Sequence, residues 1–216
     1  MRKIDKGDEP ASLTAFKRRT PGAKYADLGA GERQDIRQRC TEEQFHLCAY
    51  CCQEINGSHA DTRNEHVEPQ DLAPKRTLDF SNVVASCTTP RQCDAAHRAR
   101  RLALTPLMAE CETELRFRFS GLVEGSTARA RETITILNLG DNPDSNKALV
   151  EKRRQLINSL LWVNFQSPPE ELVLEDDPQL IKMMIDDLSI ARNGKLAPFS
   201  PVLVNILRAR LEQTNC

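Results

Sequence analysis

Cys48-Ala49-Tyr50-Cys51, then Asn64-Glu65-His66-Val67-Glu68-Pro69, then Asp79-Phe80-Ser81-Asn82, then Cys87-x5-Cys93-Asp94-x2-His97 is the stretch whose reading decides the fold. Four cysteines in two pairs have the donor set of a structural zinc ion, which four thiolates saturate in a tetrahedron with no open position. The first pair has the usual two-residue knuckle. The second is looser, with five residues between Cys87 and Cys93. The gap from Cys51 to Cys87 leaves room for a small strand pair and a loop. The chain has eight cysteines. Cys52 adjoins the first pair, while Cys40, Cys111 and Cys216 stand alone and read as inert. In a reducing compartment such cysteines are metal ligands or buried thiols rather than disulfides.

Working outward, residues 32–47 carry Ile36, Cys40 and Leu47 near helical spacing among charges, so a helix is expected to deliver the first knuckle. Residues 53–69 suit a small hairpin with a turn at Gly57, and 70–81 a loop containing Pro74. Val83-Val84-Ala85 is a short apolar run leading into Cys87. Residues 94–104 read as a helix with Asp94 near its N-terminus, where an acid is favoured. Strands, loop and helix around a metal make a ββα-metal arrangement. Residues 1–31 are polar, with Pro10, Pro21 and four glycines, and read as an extended arm with little core of its own. Past residue 110 the pattern turns helical. A strand is expected near 114–119 and helices over 128–139, 145–165, 176–192 and 201–213. The helix over 145–165 carries Leu149, Leu156, Leu160 and Leu161 as an apolar stripe and is broken by Pro168-Pro169. The fold class expected is therefore α+β, mostly helical: an N-terminal arm (1–31), a zinc-bearing core (32–110) and a mainly helical region (111–216).

Bulk numbers narrow the function. Of the 216 residues, 39% are hydrophobic, 28% charged and only 5% aromatic, and the net charge is −1. A freestanding, non-specific nucleic-acid binder usually carries a basic excess, so any grip on nucleic acid must be local or shared with a partner. No stretch has the ~18 apolar residues of a membrane span, and the first ten residues lack the apolar run of a secretory signal. A cytoplasmic protein with no membrane partner is expected.

The polar residues around the cysteines suit phosphodiester hydrolysis. Neutral imidazole accepts a proton near pH 7, so His66 is the candidate general base. A divalent ion such as Mg2+ or Mn2+ would neutralise phosphate oxygens, with Glu65, Asp94 and His97 as candidate ligands. Asp94 and His97 lie three apart on the expected helix and share a face. Glu65 and His66 are neighbours on a strand, where adjacent side chains point opposite ways; they share a site only if the strand bends or ends there, and Glu68 is the alternative. Asn82 is placed to brace the loop through its amide. Arg91, Arg98, Arg100 and Arg101 gather around the last cysteine, and guanidinium groups match phosphate oxygens.

These motifs resemble the HNH endonuclease family, through Cys48-x2-Cys51, Glu65-His66-x2-Pro69, Asn82 and Cys87…Cys93. The flanks are similar to its PtuB type. They comprise Ile4-x-Lys6-x2-Glu9-Pro10, Pro21, Tyr25-x-Asp27-Leu28, Ile136-Leu137-Asn138-Leu139 and Arg153-Arg154. The resemblance implies a nuclease with His66 as base, Glu65 as the acid before it and Asn82 in the middle position. The last position holds Asp94 directly after Cys93, with His97 nearby, so the final ligand is Asp94, His97 or both. It further implies a toxic antiphage effector of Septu or retron systems, cutting DNA or RNA, transfer RNA included. A PtuA-type ATPase would control it, in some settings within a larger complex of retron reverse transcriptase and non-coding RNA. The helical second half would be the docking region. The competing expectation is a zinc-stabilised module that binds nucleic acid or protein without catalysis.

Overall fold

The structure is a computed structural model that describes residues 1–162 and 178–214. Side chains are described for the same residues except 160–162 and 214. The expected arm is not merely extended. Helix α1 (Ala11–Arg19) forms after Pro10 and buries Leu13 and Phe16, three residues apart on one face. Met1, Ile4 and Leu28 are also buried. Lys6 is the anchor: its ammonium pairs with Glu43, donates to the carbonyl of Val83 at 2.7 Å and lies 3.8 Å from the centre of the Phe80 ring. Polar composition hid this, because a lysine paired with a carboxylate and laid on an aromatic face can be buried where an isolated charge cannot.

Helix α2 (Ala30–Glu43) turns Ile36 and Cys40 inward and packs on the strand pair. It ends where Phe45 and His46 adopt φ of 54° and 61°, swinging the chain into the knuckle. Gln44 secures that turn by donating to the carbonyls of Leu47 and Ala85 and accepting from the Ala85 N–H.

Strand β1 (Thr62–His66) pairs antiparallel with β2 (Val83–Cys87), and His66 stands opposite Val83. The hairpin expected within 53–69 is thus replaced by a pairing across the long loop 67–82, because the buried run at 83–87 is the better partner. Helix α3 (Asp94–His97) is a single turn rather than the helix expected to 104. It stops at Arg98, whose φ is +55°. The Arg100 guanidinium closes the end by donating to the carbonyls of Ala96, His97 and Ile136. Leu102 and Leu104 then turn into the core instead of continuing the helix.

Beyond the finger, α4 (Cys111–Glu114) leads into β3 (Leu115–Phe117), which pairs antiparallel with β4 (Val123–Gly125). At the turn between them Gly121 has φ +84°, and an added Cβ would lie 2.2 Å from the carbonyl of Val150. Glycine there lets the hairpin pack against the next helices. These are α5 (Ala128–Leu137), α6 (Lys147–Trp162), α7 (Pro178–Ser189) and α8 (Ser200–Thr214). Leu149 is buried and Leu156 is half-buried against the core. The side chains of Leu160 and Leu161, Pro168-Pro169 and Cys216 lie outside the described residues. Among the described residues, no helix is long and apolar enough to cross a membrane. The chain is α+β, with helices dominant and two small antiparallel sheets. One cluster of buried side chains joins the arm, the finger and the helical region.

Candidate metal and hydrolytic site

The knuckle forms because the Cys48 N–H donates to Gln53 and the Cys52 N–H to Cys48, with Cys52 at φ +64°. Cys87 ends β2 and Cys93 precedes α3, so three separate pieces of chain meet. The sulfurs of Cys48, Cys51, Cys87 and Cys93 all lie within 4.8 Å of one another, and all four residues are buried. That donor set and its compactness can hold a metal ion such as zinc. Among the described residues, this is the group of cysteine, histidine and acidic side chains drawn so close together. The thiols pull against one another: hydrogen bonds from Cys48, Cys51 and Cys93 hold Cys87 far below the ordinary thiol range, while burial pushes Cys51 and Cys93 well above it. A bound cation resolves that conflict by taking all four as thiolates.

The second constellation sits beside it. β1 ends at His66, and Glu65 and His66 line one polar cleft of about 470 Å3 together with Asp71, Asp94 and Arg98. The alternation problem is met by the strand's ending. Glu68 is turned elsewhere, its carboxylate 2.7 Å from Arg76.

His66 is only 5% exposed. Its Nε2–H donates to the carbonyl of Thr77 at 2.9 Å. This assigns the proton of the neutral ring to Nε2 and leaves Nδ1 as the basic nitrogen. Burial lowers the affinity of the ring for a second proton below the ordinary imidazole value, partly opposed by the Thr77 carbonyl. Tyr25 meets the ring edge-on at 4.8 Å and accepts a hydrogen bond from Asn64.

Glu65 and His97 are buried together, with Nδ1 of His97 hydrogen-bonded to Oε1 of Glu65 at 2.5 Å. Burial, and then the adjacent Asp94 carboxyl, push Glu65 well above the usual carboxylate range. Tyr50 donates to the same oxygen at 3.4 Å. The Nε2 of His97 is buried and has no hydrogen-bond partner among the described residues. Among the described residues Glu65, Asp94 and His97 do not draw together as compactly as the four cysteines, and the His97 nitrogen that faces Glu65 is already bonded to it.

Asn82 accepts from the Glu68 N–H at 2.8 Å and donates to the Glu68 carbonyl at 3.0 Å, while its own carbonyl accepts from Val67. It closes the loop that follows His66. Asn82→Ala is expected to destabilise the chain by about 2 kcal/mol, since it leaves both Glu68 backbone groups without their partner; urea unfolding with an unchanged midpoint would contradict this role.

The arginines divide. Arg98 lines the cleft and also a neighbouring open groove of about 840 Å3, which Arg91 and Arg100 share. Arg100 is committed to backbone carbonyls. Arg101 is exposed and lines neither. Tyr25, Tyr50 and Asp71 also meet the site, and the sequence motifs assign none of them a role there. Tyr50 lies between two ligand cysteines and Tyr25 far upstream, so neither has a spacing signal. No protein-family model matches this chain and no curated protein matches it.

Proposed function

We propose that this chain is an HNH-type endonuclease that hydrolyses phosphodiester bonds. The observation that carries the reading is His66: a neutral, correctly tautomerised imidazole held by Thr77 at the end of β1, in a polar cleft with Glu65 and Asp94. Nδ1 takes the proton of an attacking water. Thr77 and Tyr25 fix the ring, and Asn82 fixes the loop that follows it. Arg98 reaches the cleft and offers a guanidinium to phosphate oxygens. Mg2+ or Mn2+ held by Glu65 and Asp94, and by His97 only once its bond to Glu65 is broken, would supply charge neutralisation at the phosphate and leaving oxygens. Zinc at the four cysteines would be structural, tying the end of β2 to the start of α3.

One observation favours the non-catalytic alternative. The direct bond between His97 and Glu65 also suits a histidine that merely satisfies a buried acid. Divalent-dependent cleavage separates the two. Purified chain, alone and co-expressed with a PtuA-type ATPase, would be incubated with DNA and with transfer RNA in Mg2+, Mn2+ or EDTA. New ends that appear only with the divalent ion are expected. Intact substrates in every combination would sink the nuclease reading. The control by an ATPase belongs to the same proposal; the modest net charge of −1 supports it, since a partner could supply part of the grip on substrate.

A further inference from the structure

Four thiolates around one zinc ion carry two net negative charges. Buried charge is tolerated only when it is matched and hydrogen-bonded. The finger itself provides little for this: Cys48 accepts from the Cys87 N–H at 3.3 Å and meets the Ser86 hydroxyl at 3.7 Å. The remaining polar groups come from the loop 91–93 and from the region beyond it.

Gln92 is 2% exposed, and its Nε2 lies 3.7 Å from the Cys51 sulfur and 3.6 Å from that of Cys87. An amide can face a sulfur with either end. Here Oε1 accepts from Asn146 Nδ2 at 3.0 Å, which turns the N–H end to the sulfurs. Asn146 is itself held by the carbonyl of Asn138 at 2.7 Å. The Cys93 N–H donates to Leu137 and the side chain of Asn138 donates to Arg91. The end of α5 and the loop before α6 therefore clasp the second cysteine pair.

Arg153 is the second group. It stands on the buried stripe of α6 between Leu149 and Ile157, where an apolar residue would be expected, and it is 0% exposed. One nitrogen donates to the carbonyls of Leu139 and Gly121, and the guanidinium lies over Phe117. Nε and Nη2 are buried with no hydrogen-bond partner, and no carboxylate pairs with it among the described residues. The Leu139 carbonyl it holds directly follows Leu137 and Asn138, which grip the second cysteine pair, so Arg153 braces that clasp from α6.

We infer that Gln92, oriented by Asn146, donates to the thiolates of a zinc ion at Cys48, Cys51, Cys87 and Cys93, and that Arg153 braces the loop after α5 that supports them, so that α5 and α6 form part of the metal centre. This rests on the zinc reading of the cluster and is independent of catalysis. The test is the rate at which the zinc-loaded full chain surrenders its metal to excess chelator. Gln92→Glu and Arg153→Met are expected to release zinc roughly 10- to 100-fold faster than wild type, the usual effect of losing groups that support metal ligands. Arg153→Lys, which keeps a donor for the Leu139 carbonyl, should stay nearer to wild type. In cobalt-substituted protein, Gln92→Glu should also shift the sulfur-to-metal charge-transfer band. Release from folded Gln92→Glu and Arg153→Met at the wild-type rate overturns the inference. If Arg153→Met does not fold, Gln92→Glu decides, and wild-type release from it overturns the inference alike. A wild-type chain that folds without zinc removes the metal-centre reading and this inference together.

Discussion

His66→Ala is expected to abolish phosphodiester cleavage, by about 10³-fold or more, while zinc content and circular dichroism stay at wild-type levels. A positioned general base contributes roughly 10²- to 10⁴-fold. His66, the proposed base, is held on two sides, by the Thr77 carbonyl at 2.9 Å and by the Tyr25 ring. The substitution removes one hydrogen bond and one ring contact, worth about 1–2 kcal/mol of stability, and touches none of the four cysteines. Activity and structure should therefore separate cleanly. His59→Ala is the matched control, because His59 is exposed and lies outside the cleft. The measurement is end formation on the substrate together with growth arrest on induced expression. If growth arrest and cleavage persist in His66→Ala, His66 is not the base. If wild type shows neither, the zinc-stabilised binding module becomes the better reading.

What the sequence made legible was local. Cysteine spacing marked the knuckle and the cluster, because ligands close in sequence leave a spacing signature. Val83-Val84-Ala85 was legible as an apolar run leading into Cys87, though not as the partner of β1 that its full burial makes it. The neighbours Glu65 and His66 could be flagged as needing a strand end, and β1 ends there. The losses came from long-range pairing. Helix α3 stops after one turn because Arg100 reaches the carbonyl of Ile136, far away in the chain. The N-terminal arm read as extended with little core of its own because its anchor, Lys6, is a charged residue whose partners Glu43, Val83 and Phe80 are remote. Arg153, noted in the sequence only as part of the Arg153-Arg154 pair, is fully buried. In the site, Tyr50 was overlooked between two cysteines, although its hydroxyl reaches Glu65. Charged and aromatic residues carry different meanings according to what they meet, and one sequence does not display the meeting.

Removal of the metal is expected to have the largest structural effect. β1 and β2 pair over only five positions, and an isolated two-stranded pair is marginal in water. The knuckle, the end of β2 and the start of α3 converge on the four sulfurs. Zinc binding at such a site is worth about 10–16 kcal/mol of apparent free energy in small zinc fingers, comparable with or greater than the whole stability of a typical domain. Stripping the ion leaves buried thiols that are pulled in opposite directions, Cys87 towards thiolate and Cys51 and Cys93 away from it. Chelation, or Cys51→Ser, should therefore abolish the cooperative thermal transition of the finger and expose its cysteines to thiol reagents. Glu65, His66, Asp94 and His97 lie on the elements so released, and cleavage would be lost with them. Cys111→Ala is the discriminating control: Cys111 is buried but outside the cluster, so it should retain stoichiometric zinc and a cooperative melt. Chelated protein that melts as wild type, with its cysteines still protected, would show that packing alone holds the cluster and that no ion is required.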